Sequence, residues 1–167
     1  MPSLLETIPP ISRIRRNHGL EHATLHILAR QFPQVNMAGY SNTQGFWIFG
    51  NVPTEALRSA AQEALQRMKN GEAGLAVHPY CGTNFLANGF LAGTAGAFAM
   101  WNAKNDWRDR LERLSLATSL ATLALILGQP LGFALQKHIT TSGQPGTLQI
   151  VDIHIESPAR HRIITRD

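Results

Sequence analysis

The chain is poor in cysteine: Cys81 is the single thiol among 167 residues. No internal disulfide can form, so nothing in the sequence demands an oxidising compartment. It is also poor in charge. Asp, Glu, Lys and Arg make up 16%, against the ~25% usual in soluble domains. Long basic runs are missing, although the net charge is +4 and the pI about 9.8. The densest basic cluster is RIRR, Arg13 to Arg16, read first as a solvated face and second as a lipid or anion contact. Aromatic residues are few, at 7%, and none alternates with the bases, which argues against a nucleic-acid partner. The first 16 residues lack a basic start followed by an apolar core, so no cleavable signal peptide is expected. No C-x-x-C-H motif occurs, which leaves a non-covalent, histidine-ligated haem as a third and weaker functional reading. No internal repeat is visible.

What the chain does have is apolar length. Residues 85–101, FLANGFLAGTAGAFAMW, hold no charge over 17 positions. As a helix they span roughly 26 Å, marginal for a hydrocarbon core of ~30 Å. Gly89, Gly93 and Gly96 are the kind of small residues that let membrane helices pack closely. Residues 114–136 hold no charge over 23 positions, a helix of roughly 35 Å that Pro130 should kink or end. A charged connector, NAKNDWRDRLER, lies between them. The pattern predicts a two-helix transmembrane hairpin over residues 85–136. The competing reading is a soluble protein with two buried helices, which the mean hydropathy of -0.10 keeps open.

Polar segments flank the apolar pair. Residues 1–84 read as a small α/β unit carrying the metal motifs. A helix is predicted over 11–32, then a β-hairpin from 35–39 and 46–50 around SNTQG. A second helix over 53–69 is capped by Thr54 and stopped by Asn70 and Gly71. A short strand is expected at 75–77. In the C-terminal part, 137–167, residues 147–156 alternate, with Val151, Ile153 and Ile155 on one face and Asp152, His154 and Glu156 on the other. That is a half-buried strand, with 160–165 returning across SPA to pair with it. The fold class is therefore α+β, with a transmembrane helical hairpin and a C-terminal strand pair.

The chemistry concentrates in HGLEHATLH, which places His18, His22 and His26 four residues apart, with Glu21 between the first two. On a helix, Ile11, Ile14, His18, His22, Leu25, Ala29 and Phe32 fall in an arc of roughly 80°. His18 and His22 then sit within an apolar stripe, with His26 and Glu21 at its edges. Histidines at i and i+4 can share a metal. H-x-x-E-H is also the inverzincin spelling, in which the histidines bind zinc and the glutamate is the general base. A five-residue motif is short, and a buried histidine is more often a structural hydrogen-bonding group. Two features favour the metal. Burying imidazoles and a carboxylate together is costly without a partner. A second donor set also exists, HPYCGTNF, with His78, Cys81 and Asn84. Together His18, His22, His78 and Cys81 form a His/Cys set suited to zinc, with His26 and Asn84 as accessory residues. The plain reading of HPYCGTNF is a turn before a helix, with Thr83 or Asn84 as N-cap.

HGLEHATLH followed by HPYCGTNF resembles an uncharacterised bacterial membrane family, a domain of unknown function. The paired motifs are similar to those of the YqhQ-like predicted metal-dependent enzymes, which carry an HGAEH-type and an HPRCGTSF-type motif. The resemblance implies that His18, Glu21, His22, His78 and Cys81 belong to one site. It departs at Tyr80, where that family has arginine, and at Asn84, where it has serine, which puts a shared substrate in doubt. The function expected is a zinc-dependent hydrolase of the bacterial inner membrane, a peptidase for example, with Glu21 as general base and the site near the interface. Another divalent transition metal could replace zinc. The alternative is a non-catalytic, metal-stabilised membrane subunit or assembly factor. Membrane lipid is the expected partner, with a homo-oligomer or membrane complex left open. The basic connector would place itself in the cytoplasm by the positive-inside rule. The free cysteine and missing signal peptide instead put residues 1–84 there, and this second orientation is preferred.

Overall fold

The computed structural model describes residues 4–101, 103–104 and 106–167. The chain divides into two compact units, one of Met1–His78 with Gln136–Asp167, the other of Pro79–Leu135. The second is inserted into the sequence of the first.

The first unit contains helices α1 (Leu4–Thr7), α2 (Pro9–Gln31) and α3 (Thr54–Lys69), and strands β1 (Ala38–Asn42), β2 (Gly45–Phe49), β3 (Gln149–Ser157) and β4 (Arg160–Arg166). The strands form one antiparallel sheet in the order β1-β2-β4-β3. The C-terminal strands do pair as a hairpin, and β4 also pairs with β2, so one sheet joins both ends of the unit. Leu20, Leu28, Phe46, Ile48, Leu57, Leu148 and Ile163 form the centre of its core, each fully shielded from solvent. Burial of that kind stabilises by roughly 1.5–3 kcal/mol per large side chain.

Several local expectations change. The first strand starts at Ala38 rather than at residue 35, because the turn is only Thr43-Gln44. Asn42 Oδ1 accepts the Gln44 amide at 2.9 Å, leaving Tyr40 and Ser41 free to enter the ladder. Thr54 is not the cap of α3. Pro53 holds that position, and the Thr54 hydroxyl lies 3.3 Å from His161 Nε2. The stop is as expected, with Asn70 the C-cap and Gly71 at φ +98°. Residues 75–77 are no strand; Leu75 and Ala76 close a 3-10 turn, Ala73–Ala76, and Val77 caps it. The alternation of β3 is broken by irregularities between Ile150 and Asp152 and between Ile155 and Ser157. Ile153 is therefore buried, while Val151 and Ile155 are exposed. The apolar stripe of α2 also fails. Ile11, Ile14 and Ala29 are exposed, whereas Ser12, Arg15, Asn17 and every residue from Gly19 to Leu25 are buried. The middle of α2 is enclosed all round.

The second unit is a pair of packed helices, α4 (Gly82–Met100) and α5 (Trp107–Leu135). Cys81 caps α4 with its sulfur, which accepts the Thr83 amide, so neither Thr83 nor Asn84 is the cap. Much of the charged connector is helical, since α5 begins at Trp107 and is tied by Arg113 to Asp109 at 3.0 Å. Pro130 does not end the helix, which continues into a π-helical turn, Gln136–Thr140. Among the described residues one helix, Trp107–Thr140, is long and apolar enough to cross a membrane by length and composition. α4 does not meet that measure, which corrects the expectation of two such helices.

The glycines that admit close packing are also different ones. A Cβ on Gly89, Gly93 or Gly96 would meet nothing within 4 Å, whereas one on Gly128 would overlap Asn88 and one on Gly132 would overlap Asn84. Gly132→Leu should therefore destabilise the helix pair by roughly 1–3 kcal/mol, and Gly93→Leu should not. Thermal unfolding in detergent distinguishes the two, and equal midpoints would contradict the packing.

Candidate functional site

The first unit brings four histidines together. His18 and His22 have ring centroids 4.4 Å apart, His22 and His78 5.7 Å, and His26 and His78 4.6 Å. With zinc–nitrogen bonds of 2.0–2.1 Å, two imidazoles at tetrahedral angles have centroids about 5 Å apart. The observed spacings straddle that value.

Main-chain carbonyls orient the rings. His18 Nδ1 lies 3.0 Å from Thr140 O and His22 Nδ1 2.8 Å from Ala76 O. A carbonyl only accepts, so each Nδ1 carries the hydrogen and, in the neutral ring, Nε2 carries the lone pair. This is the arrangement found around metal-ligating histidines, where the second nitrogen donates to a carbonyl or carboxylate. His26 is turned the other way: Nε2 donates to Val77 O at 2.8 Å, leaving the lone pair on Nδ1. His78 is held through its backbone. Fully buried Gln136 accepts the His78 amide at 2.8 Å and donates to the His78 carbonyl at 3.0 Å. Burial, together with the neighbouring His26 and His22, lowers the His78 pKa from 6.5 to about 4. The ring is therefore neutral at pH 7.

Glu21 is buried on the sheet side of α2. Its Oε2 accepts a 2.5 Å hydrogen bond from the Ser41 hydroxyl, and its carboxyl group occupies the place where a Cβ on Gly39 would stand. Burial raises its pKa, while the nearby His18 charge and the Ser41 bond act in the opposite direction. Ser41, Gly39, Gln136 and Thr140 were not singled out from the sequence. The carbonyl partners have no side-chain signature, but a serine and a glycine two apart on a strand facing a buried glutamate were an available signal.

Cys81 and Asn84 belong to the second unit, where they open α4. The Asn84 side-chain amide donates to Pro79 O at 2.9 Å and its carbonyl oxygen lies against Gly132, a helix-packing position. RIRR is not simply a solvated face, because Arg15 is buried and bridges Glu6 at 2.6 Å and the Thr141 carbonyl at 3.0 Å.

Residues 13–153 match the family model described as Domain of unknown function (DUF6391). The chain belongs to that family. It is also 37% identical over 139 residues to an uncharacterized protein of Picosynechococcus sp., an alignment covering 77% of this chain and 66% of the relative. The chain thus spans just under two thirds of that relative's length. No solved structure matches it.

The lowered His78 pKa carries a stability consequence. Unfolded, the ring takes up a proton as pH falls through 6.5; folded, it resists until about 4. The unfolded state binds more protons in that window, so His78 costs stability progressively as pH falls from 6.5 to 4. Glu21, with its raised pKa, acts in the opposite sense. In chelator, His78→Gln should have a flatter unfolding midpoint against pH than the parent chain between pH 6.5 and 4. Parallel curves would contradict the assignment.

Proposed function

We propose that this chain is an integral metalloprotein of the bacterial inner membrane. In this reading it holds zinc, or another divalent transition metal, near the membrane interface and acts as a zinc-dependent hydrolase, with peptides the first substrate class to test. The observation that carries the metal is the pair of Nδ1–carbonyl bonds of His18 and His22, which direct two Nε2 lone pairs from adjacent turns of one helix. His78 would be the third donor. Cys81 enters on chain spacing alone: three residues after His78, its Cα can lie at most about 11 Å from that of His78. The likeness of the two motifs to the YqhQ-like pair supports joining them in one site. His26, with its lone pair on Nδ1, would be accessory.

Zinc supplies Lewis acidity in such a site. The chain's own contribution to hydrolysis is Glu21. An ionised carboxylate lifted by burial is a stronger base than one in water. It would take a proton from the attacking water and return it to the leaving amine. Ser41 holds Oε2 and Oε1 packs against Gly39, so this role would require the carboxyl group to turn away from β1. A second reading, a non-catalytic metal-stabilised subunit or assembly factor, is favoured by the same Ser41 bond. A glutamate tied to β1 also fastens helix to sheet without doing chemistry.

Membrane residence rests on the helix Trp107–Thr140. α4 does not add a second candidate crossing, although its Phe85, Leu86, Phe90 and Phe98 are exposed. The lone thiol is what supports a cytoplasmic location for residues 1–84. Alkaline washing of membranes from expressing cells should leave the chain in the pellet, and its release would remove the membrane reading.

The metal reading predicts about one zinc per chain by elemental analysis, with four protein donors in a closed shell or three in an open one. His18→Ala and Cys81→Ala should each bind it at least about tenfold more weakly. Full occupancy in Cys81→Ala would remove that residue from the site. Glu21→Gln separates the two functions. A hydrolase loses complementation of a deletion strain while keeping its metal; a scaffold keeps both.

A further inference from the structure

The RIRR cluster points to a second site, independent of the metal reading. Arg13 of RIRR and Arg162 and Arg166 of β4 line a cavity of about 340 Å³ together with Gln44, Val151 and Ile164. No lining residue is acidic. Arg162 is 5% exposed, and its guanidinium sits 3.6 Å from the centre of the Trp47 ring. Its Nη2 donates to Asn42 Oδ1 at 3.1 Å, but its buried Nη1 has no hydrogen-bond partner among the described residues. An orphaned buried guanidinium nitrogen is costly, more so than a neutral donor. The carboxylates nearby do not answer it. Asp167 pairs with Arg16 at 3.2 Å and approaches Arg13 Nε at 3.9 Å. Glu156 influences Arg162, yet its Oε2 takes Trp47 Nε1 at 3.2 Å and Arg160 at 2.7 Å. The start of α2 does not supply the anion contacts either. Its first two positions are Pro9 and Pro10, which have no N–H to offer.

We propose that this cavity binds a phosphate oxyanion, held by Arg13, Arg162 and Arg166. Arginine forks match the paired oxygens of a phosphate, and a cavity of this size suits a small ester better than a bare ion. Val151 and Ile164 would take an apolar substituent. The same phosphate chemistry is offered by a soluble phosphomonoester and by the head group of an anionic phospholipid.

The test uses the full chain in neutral detergent with chelator present. One arm titrates inorganic phosphate and then sn-glycerol 3-phosphate; the other dopes the micelles with phosphatidylglycerol. Thermal midpoint and the fluorescence of a Trp101→Phe/Trp107→Phe chain, whose remaining Trp47 underlies Arg162, are followed against chloride at equal ionic strength. A saturable response in either arm is expected, weakened about tenfold or more in Arg13→Gln and Arg166→Gln. A response to soluble phosphate identifies a free ester; a response to the doped micelles alone identifies a lipid head group. Arg166 is exposed, so its variant reports even if Arg13→Gln folds poorly. No saturable response in either arm, or an unchanged one in a folded Arg166→Gln, overturns the proposal.

Discussion

The middle of α2 is closed in on every side, yet it carries Arg15, Asn17, Glu21, His22 and Thr24. Each buried polar group left without a partner would cost roughly 1–3 kcal/mol. Much of the first unit can be understood as meeting that demand. Arg15 draws in Glu6 and the Thr141 carbonyl. Asn17 donates to Asn42 O at 2.8 Å and accepts from the Thr165 hydroxyl at 2.7 Å, joining helix to β1 and β4. Glu21 takes Ser41, His22 takes Ala76, and Thr24 turns back to Leu20 O. The surrounding elements are thus bonded to the helix as well as packed on it. A side-chain change on α2 should therefore disturb more than one neighbour.

The same constraint shapes the candidate site. Three of its histidines are oriented by main-chain carbonyls, from Thr140, Ala76 and Val77. The fourth is positioned by Gln136, which also accepts with its own carbonyl from Thr141. Carbonyls cannot change their role with pH, so the tautomers of the neutral rings are set by the fold rather than by other titrating groups. His26 is the exception in direction, and its lone pair is on the opposite nitrogen from those of His18 and His22. Orientation on this scale requires the 3-10 turn and the π-helical turn to stay in place. Gly19 and Gly143 permit this, since a Cβ on either would run into the backbone of Ser142 or Ala73.

How much of this was legible follows from range. Helices α2 and α3, the first hairpin and the return of β4 on β3 rest on local periodicity and turn residues, and they appear within a few positions of expectation. The histidine positions were legible for the same reason, since i and i+4 fix a shared helical face. The buried face of α2 was not, because a stripe analysis assumes one wet side, and here the enclosing elements come from residues 73–76 and 136–142 as well as the sheet. The join of β2 to β4 was equally hidden, as its partners lie more than a hundred residues apart. The glycines of α4 were misread because a small residue signals close packing only where another helix lies over it. Gly128 and Gly132 have such a neighbour and Gly93 does not.

Charge in the candidate site gives the metal reading its strongest physical footing. His78 is kept neutral by burial and by two adjacent imidazoles. Glu21 is buried on the sheet side of α2, with one hydroxyl bond and the partial help of His18. An ionised carboxylate in such a place is expensive unless a positive charge compensates it. A divalent cation would provide it without a proton, using the lone pairs that the carbonyl bonds at Nδ1 leave on Nε2 of His18 and His22. On this argument a bound metal would draw the Glu21 pKa back down and complete the compensation that Ser41 and His18 supply in part. The structural and catalytic readings share that electrostatic step. They differ only in whether the second oxygen of Glu21 is spent on holding the fold or is available to water.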